Sequence, residues 1–312
     1  MKKISVMIPC YNETENVVPM SAAIIEQFEK YLPEYDYEIC FADNCSTDGT
    51  REKLEALCAG NKKIKAIFNA RNFGQFNSPY HAMCQLDGDA VIGICCDFQD
   101  PVDLIPRFVH EWEQGYKIVA AIKTQSEENH IMRFLRTCYY KTIRKMSDVE
   151  QIEHFTGTGL YDKSFIDVLR RLDDPVPFLR NIVAELGFKR KDIPYTQAER
   201  KAGHTHNNFF TLYDAAMLSF TSYTKAGLRM ATFVGAFLAA GCVLVALYYL
   251  VMKLLFWDTF PIGIAPLVTG VFFVGAVQLI FLGLLGEYIL TINSRVMHRP
   301  LVIEERRLNF DE

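Results

Sequence analysis

No glycine-rich phosphate loop of the dinucleotide or Walker type occurs in the 312 residues, which leaves a dehydrogenase or an ATPase without its fingerprint. Positive charge is not in excess either: 33 Lys and Arg stand against 37 Asp and Glu, a formal net charge of -4. That balance argues against a nucleic-acid binder, whose affinity comes mainly from clustered basic side chains meeting phosphates. The nine cysteines are single apart from Cys95-Cys96. No C-x-x-C unit offers a zinc or redox spacing, so they read as reduced, small core residues. Internal repeats and low-complexity segments are also absent.

Apolar material is plentiful, at 50% of the chain with 22% charged residues, enough for an ordinary core and for something buried in lipid. From Phe233 to Met252 every residue is apolar or small, and from Pro261 to Gly286 only Thr269 and Gln278 interrupt the pattern. Each run can cross a bilayer, which takes about 20 residues. A buried helix pair in a soluble protein would share this composition, but the short Trp257-Asp258-Thr259-Phe260 link fits a membrane hairpin better. Lys225 and Arg229 precede the first run, and Arg295, His298, Arg299, Arg306 and Arg307 follow the second. The positive-inside rule therefore puts both flanks in the cytoplasm. Just upstream, Phe209, Leu212, Tyr213, Ala216, Met217, Phe220 and Tyr223 recur at helical spacing. Their apolar face suits either the headgroup layer or the surface of the preceding domain.

The amino-terminal Met1-Lys2-Lys3 enters an apolar run at once, Ile4 to Ile8, too short for a signal peptide's hydrophobic region and read as a first strand. Strand patterns continue at Tyr37–Ala42, Ile64–Phe68, Ala90–Cys95 and Lys117–Ala121. Helical patterns lie between them at Glu15–Tyr31, Thr47–Ala59, Gln75–Leu86 and Val102–Gln114. This alternation predicts an α/β domain with a mostly parallel sheet covered on both faces. The expected division is a domain over 1–205, an amphipathic juxtamembrane helix over 206–230, two transmembrane helices within 231–292 (about 233–253 and 261–286), and a tail over 293–312.

Ligands of open α/β sheets sit beyond the carboxyl ends of the strands, so the residues just after each strand matter most. After the first comes Pro9-Cys10-Tyr11-Asn12-Glu13, by itself an ordinary turn. After the second comes Asp43-Asn44-Cys45-Ser46-Thr47-Asp48-Gly49-Thr50, whose side chains suit nucleotide hydroxyls, with Ser46 or Thr47 read as a helix cap. After the fourth comes Asp97-Phe98-Gln99-Asp100-Pro101, the sharpest local pattern. Its hard oxygen donors suit Mg²⁺ or Mn²⁺ carrying a diphosphate, and Asp100 can also cap a helix with Pro101 at its first position.

The ordered set VMIPCYNETENV, FADNCSTDGT, ARNFGQ, CCDFQDP, TGTGLYDKSF and RKAGHTHNNF, followed by two apolar runs, resembles the polyprenyl-phosphate glycosyltransferases of the family-two class. The resemblance implies a nucleotide-diphospho-sugar transferase (GT-A, Rossmann-like) fold. It also implies transfer of a sugar, by resemblance from a UDP-hexose, to the phosphate of a long isoprenoid with inversion, for modification of cell-envelope glycans. Pro9, Tyr11, Glu13 and Asp43 would hold the nucleoside; Asp97 and Gln99 would bind Mg²⁺ or Mn²⁺, with Asp97 and Asp100 as catalytic carboxylates. Arg133, Thr137, Arg200 and the Gly203–His206 loop, His206 included, would contact the acceptor phosphate. The implied partners are the nucleotide sugar, the polyprenyl phosphate and membrane lipids, with no nucleic acid. The implied location is the cell inner membrane, multi-pass, with both termini and the catalytic domain cytoplasmic. Glycines such as Gly235, Gly241, Gly270 and Gly275 permit close helix packing, in a homo-oligomer or within one hairpin.

Three positions depart from the pattern. Cys95 stands where the family often has a second carboxylate, Asn44 replaces a common aspartate, and His204 and His206 occupy a loop that commonly carries a lysine. A processive polysaccharide synthase would carry a Q-x-x-R-W signature, yet neither Trp112 nor Trp257 follows arginine. A non-catalytic nucleotide-sugar or lipid-phosphate binding membrane protein is the alternative that the departures keep open. A flippase is disfavoured because the apolar runs carry no charge that could mark a polar path.

Overall fold

The computed structural model describes residues 1–125, 152, 154–172, 174, 177–198, 226–255, 264–296 and 299–310. They fall into two compact units, the first built from the described residues up to 198 and from 299 onward, the second from two long helices.

The first unit alternates strand and helix: β1 (Lys3–Cys10), α1 (Val17–Tyr31), β2 (Asp36–Asp43), α2 (Thr50–Gly60), β3 (Ile64–Asn69), α3 (Gly74–Cys84), β4 (Ala90–Gly93), α4 (Leu104–Glu113) and β5 (Ile118–Gln125). It continues with β6 (Phe155–Asp162), α5 (Lys163–Leu172), α6 (Leu179–Glu185) and β7 (Arg190–Thr196). The helices of the second unit, α7 (Ala226–Leu255) and α8 (Ile264–Val296), come next, and β8 (Glu304–Leu308) closes the chain. Among the described residues eight strands join one sheet in the order β7-β5-β6-β4-β1-β2-β3-β8. β1 pairs in parallel with β2 and β4, β2 with β3, and β5 with β7. β6 runs antiparallel to both β4 and β5, and β8 antiparallel to β3. The expected mostly parallel sheet is therefore a mixed one: the five strands read from the sequence form with end shifts of a few residues, and three more join them.

Strand side chains alternate between faces, and each face has its own core. On one, Ile4, Val6 and Ile8 of β1 meet Met20, Ile24 and Phe28 of α1, Leu54 of α2 and Phe108 of α4. On the other, Met7, Cys40 and Ile67 meet Tyr80 and Met83 of α3, Phe165 and Leu169 of α5 and Ile182 of α6. Two glycines answer to close backbone approach. A Cβ on Gly88 would lie 2.5 Å from Ser5 Oγ and 2.9 Å from its amide nitrogen, and one on Gly159 would overlap the Val119 carbonyl oxygen on β5.

The tail expected over 293–312 contains β8, which pairs Phe68 with Arg306 and Ala66 with Leu308. Its sequence, EERRL, shows no apolar alternation because it is an outermost strand with its three middle residues exposed. Dense charge of this kind also protects an open edge from pairing with other chains. At the opposite edge, β7 carries Pro194 and the charges of Arg190, Lys191 and Asp192.

In the second unit, α7 has 30 residues and α8 has 33, lengths of about 45 and 50 Å at 1.5 Å per residue. Among the described residues, α8 holds a stretch, Phe273–Leu290, whose 18 residues and mean hydropathy of 1.9 suffice by length and composition to cross a membrane. Large apolar side chains stand exposed along both helices, among them Phe237, Leu244 and Leu254 on α7 and Leu279, Ile280 and Leu282 on α8. A soluble protein rarely exposes so much apolar surface.

Candidate active site

The strand order reverses at β1: the chain moves from β1 to β2 to β3 on one side, then returns to place β4 on the other. In an open α/β sheet the crevice beyond the carboxyl ends at such a switch point is where ligands bind. The loops after β1, β2 and β4 meet this condition, and each carries a non-glycine residue in the left-handed region: Asn12 (φ 56°), Cys45 (φ 67°) and Phe98 (φ 58°). Such residues cost about 1–3 kcal/mol each and gather at binding sites, where the surroundings hold them in place.

The first two loops are laced together. The Asn12 amide donates to Ser46 Oγ at 2.9 Å, the Thr47 amide returns a bond to Asn12 Oδ1 at 2.9 Å, and the Glu13 amide donates to Thr50 Oγ1 at 3.0 Å. The Thr14 amide reaches Asp48 Oδ2 at 3.1 Å. Burial alone would raise the Asp48 pKa, but the Thr50 hydroxyl and the Thr14 and Thr50 amides hold it below the usual carboxylate value. This lacing corrects the expected cap: α2 starts after Gly49, with no capping side chain, and Ser46 and Thr47 serve the loop pair instead.

The four residues expected to hold a nucleoside all lie here, with Pro9 at the end of β1, Tyr11 and Glu13 half-buried in the following loop, and Asp43 closing β2. Glu13 Oε2 accepts from Asn16 Nδ2 at 2.6 Å. Asp43 is fully buried, and its Oδ2 accepts from Arg51 Nε at 2.8 Å. Pairing lets a carboxylate remain charged in such surroundings.

Beyond β4, Asp97 is 5% exposed and its Oδ1 accepts from the Gln99 amide at 3.2 Å, which fixes the turn at Phe98. Asp100, 2% exposed, accepts from Thr158 Oγ1 at 2.5 Å and from Tyr195 Oη at 2.6 Å. Burial and the neighbouring Asp100 push the Tyr195 phenol's pKa up, so it stays a donor. The Gln99 carbonyl accepts from the Ala198 amide at 3.1 Å, so the strand-end segment of β7 brackets the turn. Asp100 therefore does not cap α4, which begins at Leu104 after Asp103; the expected helix start at Pro101 is displaced because β6 and β7 engage the Asp100 carboxylate.

Among the described residues no three acidic, His or Cys side chains converge as a cage for an ion. Asp97 and the Gln99 amide offer a sparse set of hard oxygens, which fits a Mg²⁺-type ion that takes one or two protein groups and completes its shell with substrate phosphates. Burial pushes the thiols of Cys10 and Cys96 well up, and desolvation with the adjacent Asp100 and Asp97 does the same for Cys95, so all three stay protonated beside the same loops.

Residues 5–169 match the model of the family described as glycosyl transferase family 2. The chain belongs to that family. The glycosyltransferase is 30% identical over 303 residues to the bactoprenol glucosyl transferase of Shigella phage SfV, covering 96% of this chain and 97% of that one. It is 28% identical over 305 residues to the prophage bactoprenol glucosyl transferase homolog of Escherichia coli (strain K12), covering 97% and 99%. Among solved structures, S. aureus TarS in complex with UDP-GlcNAc aligns over 71% of this chain and 67% of that chain, with a TM-score of 0.44 and 14% identity.

In this glycosyltransferase, the expected acceptor residues Arg133, Thr137, Arg200 and His206 lie outside the described residues. The basic run Lys189-Arg190-Lys191 sits at the amino end of β7, the opposite end of the sheet from the site. There Arg190 pairs with Asp192 at 2.7 Å. Arg51, Thr158 and Tyr195 are site residues that sequence reading missed. For Thr158 a signal existed in the T-G-T-G repeat, whose glycines permit a left-handed turn at Gly157 (φ 102°) and the close β5 approach at Gly159.

Proposed function

We propose that this glycosyltransferase moves a sugar from a nucleotide donor, a UDP-hexose, to a polyprenyl phosphate at the cytoplasmic membrane face, with inversion at the anomeric carbon. The product is a polyprenyl-phosphate sugar for cell-envelope glycan modification. The observation that carries the reading is the placement of Asp43 and Asp97 on either side of β1, at the switch point of the sheet. The near full-length likeness to bactoprenol glucosyl transferases supports the lipid acceptor.

The chemistry asks little of a general base. A phosphate monoester has a second pKa near 6 and is already largely an anionic nucleophile at neutral pH. The demand lies on the leaving side, where charge develops on a nucleoside diphosphate. Asp97 and Gln99 would hold Mg²⁺ or Mn²⁺, which when bound neutralises that charge. Asp43, Glu13 and Tyr11 orient the nucleoside end. Asp100, held by Thr158 and Tyr195, keeps the Asp97 turn in place. Arg133, Thr137, Arg200 and His206 are the proposed contacts of the acceptor phosphate, which they would place in line with the anomeric carbon. α7 and α8 would form the membrane hairpin, raising the local concentration of a lipid acceptor.

The test is transfer by purified full-length protein in liposomes with undecaprenyl phosphate, Mg²⁺ or Mn²⁺ and a panel of radiolabelled nucleotide sugars, run beside Asp97→Ala. Label entering the lipid fraction, and absent in the variant, supports the reading. Donor binding without transfer across the panel would refute it in favour of a binding protein.

A further inference from the structure

We propose that the carboxy-terminal strand β8 is a working part of the donor pocket, with Glu305 and Arg51 as positioning residues that hold Asp43 in its binding orientation. The proposal rests on the donor-site reading above and adds a second, distant segment of chain to it.

Arg51 opens α2, and its guanidinium fork makes three directed bonds. Nε donates to Asp43 Oδ2, Nη2 to the Asn69 carbonyl and Nη1 to Glu305 Oε2, each at 2.8 Å. The group also lies over the Phe68 ring, 5.4 Å from its centroid. A planar fork bonded on three sides has one orientation, and a change at any arm is felt at the others. Asp43 is fully buried, and the Ser46 amide stands 3.3 Å from both its oxygens, a longer contact than the Arg51 bond. Its direction is therefore set by Arg51, and that of Arg51 in part by Glu305.

β8 does not depend on Glu305 for its place. Asn309 Nδ2 donates to the Cys58 carbonyl in the last turn of α2 and to the Ile64 carbonyl at the start of β3, both at 2.7 Å. Glu304 meets His81 at 2.5 Å, Arg306 pairs with Glu55 and lies over Phe68, and Leu301 and Phe310 pack on the core. Glu305 itself is 50% exposed. Removing it breaks the relay and leaves the strand docked. Linkage then requires reciprocity: if β8 strengthens donor binding, donor strengthens the docking of β8 by the same factor.

The experiment uses the full-length protein in detergent, with UDP binding measured by calorimetry and donor kinetics by transfer. Glu305→Ala is expected to raise the UDP Kd and the donor KM about 5- to 20-fold, within the usual range of site coupling, with kcat changed less than about twofold. Glu305→Gln, which keeps an acceptor oxygen, recovers part of the loss. UDP is expected to slow amide exchange in the β3–β8 pair around Phe68 and Arg306 in wild type, and to do so less in Glu305→Ala. Wild-type affinity in Glu305→Ala, or exchange in β8 indifferent to UDP, overturns the relay while the donor site stands. A loss in both variants that tracks their melting temperatures assigns Glu305 to the fold and also overturns it. Wild-type protein that binds neither UDP nor GDP overturns the donor-site reading and this proposal together.

Discussion

Asn44 Nδ2 donates to the Gly74 carbonyl at 3.3 Å and to Asn72 Oδ1 at 2.9 Å, while its Oδ1 accepts from the Phe73 amide at 2.9 Å and from Asn69 Nδ2 at 3.2 Å. The side chain thus uses both ends of its amide to hold the loop after β3 against the end of β2. A carboxylate could only accept. Asn44→Asp would place an anion against two acceptor oxygens. It is expected to destabilise the domain by about 1–3 kcal/mol and to weaken donor binding. Thermal unfolding and UDP titration measure both, and a variant as stable as wild type would show that the amide network carries no weight.

Asp97 and Asp100 are three residues apart and are expected to behave differently. Asp97 sits on the turn that faces the crevice, whereas both oxygens of Asp100 accept hydroxyls from β6 and β7. Asp97→Ala should reduce kcat at least about 10²-fold, the scale seen when a group stabilising developing charge is removed. Tyr195→Phe should cost about 0.5–1.5 kcal/mol in stability and less than about tenfold in kcat. A Tyr195→Phe variant as inactive as Asp97→Ala would move Asp100 from support to chemistry.

Backbone approach rather than flexibility explains Gly159. A Cβ there overlaps the Val119 carbonyl oxygen, which belongs to a paired strand and cannot give way. Gly159→Ala is therefore expected to cost about 3 kcal/mol or more, near the upper range for overpacking. Gly60, at the end of α2 with nothing within 4 Å of its would-be Cβ, is the internal contrast: Gly60→Ala should be neutral or stabilising by up to about 1 kcal/mol. Melting temperatures of the two variants check the pair.

Glu304 gives the tail strand a pH dependence. Burial would raise its pKa, but His81 and Arg307 hold it below the usual 4.5. A carboxylate whose folded pKa is depressed stabilises fully above its unfolded value and loses that contribution as pH falls through the folded one. The difference in β8 amide protection between wild type and Glu304→Gln should thus be undiminished just above the unfolded value and be lost as pH falls on through the lower folded one. A difference that shows no decline on acidification would assign it to shape rather than charge.

The central sheet was legible because burial on both faces writes itself as nearly continuous apolar runs: Ile4 to Ile8 and Ile64 to Phe68 are core apart from Ser5 and Lys65. β6 and β7 were not, since β6 follows Phe155 with Thr-Gly-Thr-Gly and β7 mixes Arg190, Lys191 and Asp192 with a proline. β8 was least legible, because its pairing depends on a partner far away in the chain and on ion pairs rather than on apolar period. The candidate site divides along the same line. Asp97 and Asp43 announce themselves by following apolar strands, but Arg51 reads as an exposed helix position until Glu305 and Asp43 are seen on either side of it.

The second unit makes the membrane assignment testable without any substrate. Phe273–Leu290 has the length and hydropathy of a span, and Leu282 near its middle is 63% exposed. In lipid that exposure is favourable; in water it would leave a large apolar surface uncovered. An arginine at a span's centre adds about 2.5–3.5 kcal/mol to the free energy of insertion. Leu282→Arg is therefore expected to shift a large share of the protein out of the carbonate-resistant membrane fraction, whereas an arginine in place of exposed Ala22 on α1 should leave the partition unaltered. If α8 instead covers another protein in solution, wild type itself will leave the membrane with carbonate, and Leu282→Arg will alter its association state in place of its partition.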